Sequence, residues 1–262
     1  MPLSASEILT CLVKWLIMGS EKQIDIKGDD ELLEVLKKAS SEDLDLLVDY
    51  ITDSGNGRLS LSAAVCKTLT NAKAQGTYSP SLLRQLIREL QLFGGNSIVN
   101  LFRSSGISYR EIVFDVAEHL AVKRLDDESL ADIERNILIK MWNLTVNDTG
   151  EADRRALIKS IGEKRGSFAT ADELQAAFNL GPGSISITAA SLLSKAMAAN
   201  TLGSSVTAGM TLAAGRSFTA ALGPIGVALS GVWGAYSLTA PAYRITVPCV
   251  VQIAFIRLKQ TI

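Results

Sequence analysis

Apolar residues recur at intervals of three and four along the first two-thirds of the chain, and no convincing period-two alternation precedes residue 184. The pattern predicts a series of amphipathic helices without a sheet. In "SASEILTCLVKWLIMG", Ile8, Leu12, Trp15 and Leu16 share one face, and Gly19 is placed to stop the helix. "SSEDLDLLVDYITDSGNG" opens with serine caps and with acids suited to the positive end of a helix dipole. Leu44, Leu47, Val48 and Ile51 form its stripe, and Gly55 and Gly57 are expected to end it. In "YSPSLLRQLIRELQLFGG", Ser79 is a cap and Pro80 takes the first helical position, where its missing N–H costs nothing. Gly94 is expected to supply the left-handed residue at the other end. Ser108 and Glu111 then make a capping box before a face of Ile112, Val116 and Leu120. Further helices are predicted over about 128–144 and 151–163, and over a short stretch opened by the Thr170–Glu173 box. The expected fold class is all-α: amphipathic helices around a Gly/Ala-rich, apolar C-terminal hairpin.

That hairpin is predicted because the pattern changes near the C-terminus. Two uncharged windows, 196–215 and 217–243, are separated only by Arg216. Each has the length to cross a hydrocarbon layer of roughly 30 Å. Phe218, Leu222, Ile225, Leu229, Trp233 and Leu238 mark the apolar hairpin positions. The strongly apolar residues between 218 and 240 favour insertion by only about 2 to 4 kcal/mol, and glycines, serines and Pro224 oppose it. The small residues suit close helix packing in lipid or in a tight core. A stretch hydrophobic all round is equally a core helix wrapped by amphipathic ones. Both solvents stay open at this level. The layout resembles that of pore-forming colicin domains, as an analogy of pattern.

Charge sharpens the division. The chain of 262 residues is 47% apolar and 20% charged, with net charge −1, which offers no argument for nucleic acid. After Glu173 there is no acid, and Lys195, Arg216, Arg244, Arg257 and Lys259 are the only bases. Residues 1–165 are thus expected to form a charged amphipathic region, with an acid-free region, 166–262, packed on it. Cys11, Cys66 and Cys249 are odd in number and far apart, as expected for reduced, buried thiols in a cytoplasmic protein. Glu7 and Lys14 break up the early apolar run, so no secretory signal is expected.

Candidate chemistry is sparse. No G-x-x-x-x-G-K-[ST] loop occurs, nor a G-x-G-x-x-G following a strand. His119 is the single histidine, too little for a zinc site or a serine triad. "DSGNGRLS" lacks the acids a calcium loop needs, having Gly55 at its third position and Ala64 at its twelfth. No catalytic residue, metal or cofactor is expected.

Two stretches are more distinctive: "LQLFGGNSIVNLFRSSGISYREIVFDVAEHLAVK", residues 90–123, and "GPIGVALSGVWGAYSLTAPAYRITVPCVVQIAFIR", residues 223–257. With "SSEDLDLLVDYIT" they resemble the YaaW-like family of uncharacterised bacterial proteins, a family in turn described as similar to ubiquinol–cytochrome c chaperones. The resemblance begins near residue 40 and marks Gly94, Gly95, Asn96, Asn100, Arg103, Tyr109, Arg110, Glu111, Pro241, Tyr243, Arg244 and Pro248. It implies no established activity. Read physically, Asn96, Asn100, Arg103, Tyr109, Arg110, Glu111, Tyr243 and Arg244 are a structural or partner-binding cluster. If Arg244 is buried it needs a carboxylate from the first region, with Glu111 or Asp115 expected. The expected function is non-enzymatic: membrane association or conditional insertion by release of the hairpin. The alternative is a soluble chaperone or assembly factor. Candidate partners are therefore a membrane surface or a protein client, at a cytoplasmic location peripheral to, or associated with, the inner membrane.

Overall fold

Local signals hold wherever a cap is satisfied by its own next turn. The computed structural model describes residues 24–58, 61–94, 106–125, 127–162, 169–181, 183–202, 228–229, 231–232 and 242–261. Among these residues the regular structure is all helical: α1 (Asp30–Lys37), α2 (Ser41–Thr52), α3 (Ala63–Gln75), α4 (Pro80–Gly94) and α5 (Tyr109–His119), then α6 (Leu130–Asp148), α7 (Glu151–Gly162), α8 (Ala171–Phe178), α9 (Ile187–Leu202) and α10 (Tyr243–Lys259). Side chains of Ser40, Ser62, Ser108, Ser129 and Thr170 each accept a hydrogen bond from the backbone N–H three residues on. Both predicted capping boxes, Ser108–Glu111 and Thr170–Glu173, are complete. Ser79 receives the Leu82 N–H, as its place before Pro80 predicts.

Two helix ends differ from expectation. Gly94 is the last helical residue of α4 and does not take a left-handed conformation. It is there because of packing: a Cβ on it would lie 2.5 Å from Ile112 Cγ1 and 3.1 Å from Ile107 Cγ1. At the end of α2 the left-handed residue is Asp53, at φ 56°, and Gly55 and Gly57 continue the turn beyond it.

The core is built around α10. Every residue from Ile245 to Ile256 is buried. The helix packs on α1, α2, α4, α5, α6 and α9. A helix apolar on all sides finds its lowest free energy there, with the amphipathic helices turning their stripes toward it. Pro248 lies inside α10, so the Arg244 carbonyl has no N–H to meet it at the fourth residue on. Beside α10, Leu192, Leu193, Ala196, Met197 and Ala198 of α9 are fully buried.

No helix among the described residues is long and apolar enough to cross a membrane. The predicted helix over the first 19 residues lies outside the described residues, as do Phe218, Leu222, Ile225, Trp233 and Leu238 of the hairpin. Leu229 is described, and it is fully buried with Ala228 and Val232 close to it in burial. A Cβ on Gly231 would stand 3.3 Å from Asp148 Oδ2, which places this segment against the C-terminal end of α6.

Candidate functional site

The apolar α10 ends in two cations, Arg257 and Lys259, where the negative end of the helix dipole favours them. Each is met by acids from other helices. Arg257 donates from Nε to Glu134 Oε2 at 2.7 Å and from Nη1 to Glu31 Oε1 at 2.7 Å. Glu134, fully buried on α6, also accepts from the Tyr109 hydroxyl at 2.8 Å. Burial pushes the Glu134 carboxyl up, while Arg257 and the Tyr109 hydroxyl hold it down. Burial pushes the Tyr109 phenol well above its ordinary range, with the Glu134 carboxylate adding to the effect.

A branch of the same layer runs through the backbone of Tyr109. Its N–H donates to Asp29 Oδ2 at 2.7 Å, and Gln91 Nε2 donates to the same oxygen at 2.6 Å. Gln91 Nε2 reaches the Ile26 carbonyl as well, at 2.6 Å. The segment before α1 is thereby fastened to α4 and α5.

Lys259 organises a second cluster. Its ammonium meets Asp43 Oδ2 at 2.6 Å, and the Ser40 hydroxyl donates to that oxygen at 2.9 Å. Gln252, a fully buried amide of α10, donates to the Asp43 carbonyl at 3.2 Å and accepts from the Ser194 hydroxyl of α9. Burial pulls the amine of the neighbouring Lys195 down to about 8, against the attraction of Asp43. Cys249 is a buried free thiol pushed up to about 12 by burial, far from a reactive thiolate, and Cys66 is also free and buried.

These clusters tie α10 to α1, α2, α5, α6 and α9, and they leave only Arg257 Nη2 and Gln91 Oε1 buried without a hydrogen bond among their described side-chain atoms. Among the described residues no group of three or more His, Cys, Asp or Glu side chains suits a metal ion. The arrangement is chemically a set of polar stitches through an apolar core.

The sequence-predicted residues are distributed differently. Asn96, Asn100 and Arg103 lie outside the described residues. Tyr109 is in the core layer just described. Its neighbours face outward: Arg110 is exposed with its guanidinium 4.9 Å from the Phe114 ring centroid, and Glu111 completes the α5 cap. Arg110 and Glu111 therefore do not pair with each other. Tyr243 stacks on His119 at 3.7 Å between ring centroids and 17° between planes, closing the end of α5 onto the start of α10. Arg244 is exposed, so no buried charge requires Glu111 or Asp115.

Glu134, Arg257, Asp43 and Gln252 went unselected in the sequence reading. One signal for them is visible in hindsight: Gln252 stands alone in an apolar run, and a buried amide needs a partner. Glu134, flanked by Ile133 and Ile137, carries a similar but weaker signal.

No protein-family model matches the chain, and no solved structure matches it. Named relatives do. A UPF0174 protein of Helicobacter pylori J99 is 28% identical over 238 residues, covering 88% of this chain and 92% of the relative. A UPF0174 protein from another Helicobacter pylori strain is 32% identical over 184 residues, covering 67% of this chain and 88% of the relative. UPF0174 protein YaaW of Escherichia coli K12 is 28% identical over 233 residues, 87% of this chain and 94% of its own. The polar stitches and the all-helical core thus belong to a chain that is a member of the UPF0174 family.

Proposed function

We propose that the protein is a non-enzymatic helical body that associates with a membrane, or inserts into it conditionally, through its acid-free apolar C-terminal hairpin, predicted over residues 196–243. The observation carrying this reading is the burial of Leu229 and Val232 beside the end of α6, in a segment whose only charge is Arg216. The energetics support a conditional response. The strongly apolar residues of 218–240 favour transfer to lipid by only about 2 to 4 kcal/mol, before the opposing glycines, serines and Pro224 are counted, so modest burial against the body competes with the bilayer. The polar stitches of α10 would keep the body folded while the segment moves, because they lie at Arg257 and Lys259, the other end of the helix from the segment's return at Tyr243.

Flotation with lipid vesicles tests it. The purified chain is expected to float with anionic vesicles under mildly destabilising conditions, to release vesicle contents, and to resist carbonate extraction. A protein that stays at the bottom of the gradient and never leaks vesicles, at neutral or acid pH, overturns the reading. Suppression of client aggregation by such a protein would favour a chaperone or assembly factor instead.

A further inference from the structure

Three acids, Asp45, Asp49 and Asp53, recur at four-residue intervals along one side of α2 and its C-cap. Each is met by a group from α3 or from the turn at one of its ends. Arg58, before α3, stands 3.5 Å from Asp53 Oδ1. Lys73, in the last turn of α3, donates to both carboxylate oxygens of Asp49, at 2.6 and 2.5 Å. The Tyr78 hydroxyl, just beyond α3, donates to Asp45. α3 itself carries Lys67 and Lys73 and no acid. A basic helix thus lies along an acidic row.

Apolar contact adds little to this arrangement. Of its thirteen residues α3 buries only Cys66, Leu69 and Ala72, whereas α10 is buried throughout from Ile245 to Ile256. Among the described elements α3 packs chiefly on α2, with a smaller contact on α4. A helix of this length is marginal by itself, so α3 depends on that contact to stay helical. The polar contacts are themselves partly offset, because burial pushes the Asp45 and Asp49 carboxyls up against the pull of Tyr78 and Lys73. Lys73 and Asp53 remain partly exposed, within reach of screening ions. The ends of α3 can pivot: Gly57 before it and Gly76 after it take left-handed conformations, at φ 81° and 61°. An open cleft of about 660 Å³ flanks its start, at Asn56, Arg58 and Lys67, and one of about 340 Å³ lies at Gly76 and Tyr78.

We propose that α3 is an electrostatically latched lid, which lifts from α2 as one unit while the rest of the body stays folded. The latch is the ladder of Arg58, Lys73 and Tyr78 on Asp53, Asp49 and Asp45. Ionic strength sets how often the lid opens, because salt weakens a partly exposed ion pair far more than it weakens an apolar core. Closed, α3 hides Leu69 and the acidic row; open, it bares both. Such a low-lying local opening needs no change in α6 or α10. The lid is a property of the body and does not rest on the membrane reading.

The test is native-state hydrogen exchange of the full chain, read by mass spectrometry at fixed pH and temperature. Sodium chloride is varied between roughly 0.01 and 1 M, which shortens the screening length from about 30 to about 3 Å. Amides of α3 are expected to exchange as one group, faster than those of α6 and α10. Their rate relative to α6 should rise about threefold across the salt range. Lys73→Gln is expected to speed α3 exchange about tenfold at low salt and to flatten the salt response, with α6 and α10 unchanged. Asp53→Asn keeps a side chain suited to the left-handed backbone and loses one charge, for a smaller gain of about threefold. Should Lys73→Gln fail to fold, the parent's salt response and Asp53→Asn decide the question. α3 amides as slow as those of α6 and α10 overturn the proposal, because the helix then opens only with the whole body. An α3 rate that salt leaves unchanged relative to α6 overturns it equally, since the latch is then not electrostatic.

Discussion

The hydroxyl of Tyr109, at the start of α5, donates to the buried carboxylate of Glu134 on α6, and Arg257 near the end of α10 completes that carboxylate's coordination. Two consecutive helices and a third 123 residues further along the chain share one fully buried acid. A carboxylate out of water is tolerated only when its lone pairs are filled, and here the filling groups are a phenol and a guanidinium.

Removing the acid should therefore be severe. Glu134→Ala leaves the Tyr109 hydroxyl without an acceptor and Arg257 with only the exposed Glu31. Urea unfolding is expected to show a loss of about 3–5 kcal/mol. The pair Glu134→Met with Arg257→Met should recover much of that loss, because no uncompensated charge remains. A single-variant loss below about 1 kcal/mol would contradict the stitch.

Lys195 gives a pH signature. Its folded-state pKa, about 8, lies below the ordinary lysine value, so between these two limits the unfolded chain binds more protons than the folded one. Its contribution to stability therefore rises as pH increases from about 8 toward about 10.5. Tyr50, Tyr109 and Cys249 act in the opposite sense, since burial raises their values. The difference between parent and Lys195→Met isolates the lysine. Melting temperatures from pH 7 to 10 should show the parent gaining relative to the variant, and parallel curves would refute the shift.

Glycine substitutions separate steric clash from backbone strain. Gly94→Ala drives a methyl to 2.5 Å from Ile112 Cγ1 at an ordinary helical φ, and the expected cost is about 1–3 kcal/mol. Gly76→Ala meets nothing within 4 Å but must hold φ near +61°, for roughly 1–2 kcal/mol. Gly106→Ala suffers both, with φ at +68° and the Gln91 carbonyl oxygen 2.8 Å from the new methyl. Denaturation midpoints should place Gly106→Ala as the most damaged of the three.

Leu229 reports on the acid-free segment. Leu229→Ala removes a fully buried side chain, and a cavity of that kind costs roughly 2–5 kcal/mol where the surroundings cannot collapse. If that cost is borne by the segment alone, limited proteolysis between residues 203 and 241 should accelerate before the global melting temperature falls. Cleavage rates tracking global unfolding would show that the segment and body melt as one.

The helical class, the capped helix starts and the family resemblance were legible in the sequence because each rests on local chemistry. Ser108 and Glu111 satisfy each other's backbone within one turn, as do Thr170 and Glu173, so residues three apart suffice to predict them. Gly94 was misread for the complementary reason: a glycine after an apolar stripe fits a helix stop, and only Ile107 and Ile112 arriving from the next segment explain why a helical residue there has no side chain. Arg244 was expected to need an interior acid only if it were buried, and its place at the first turn of α10 leaves it exposed to solvent. Glu134 and Arg257 lie 123 residues apart, and nothing local relates them. By itself, then, the sequence determined the helical class and where α2, α4, α5, α6, α7 and α8 lie, mostly through hydrogen bonds closed within a turn, and it left α1, α3, α9 and α10 unmarked. Only the tertiary structure decided that α10 is the axis of the core and which charges meet, because burial and ion pairing depend on which helices share a space.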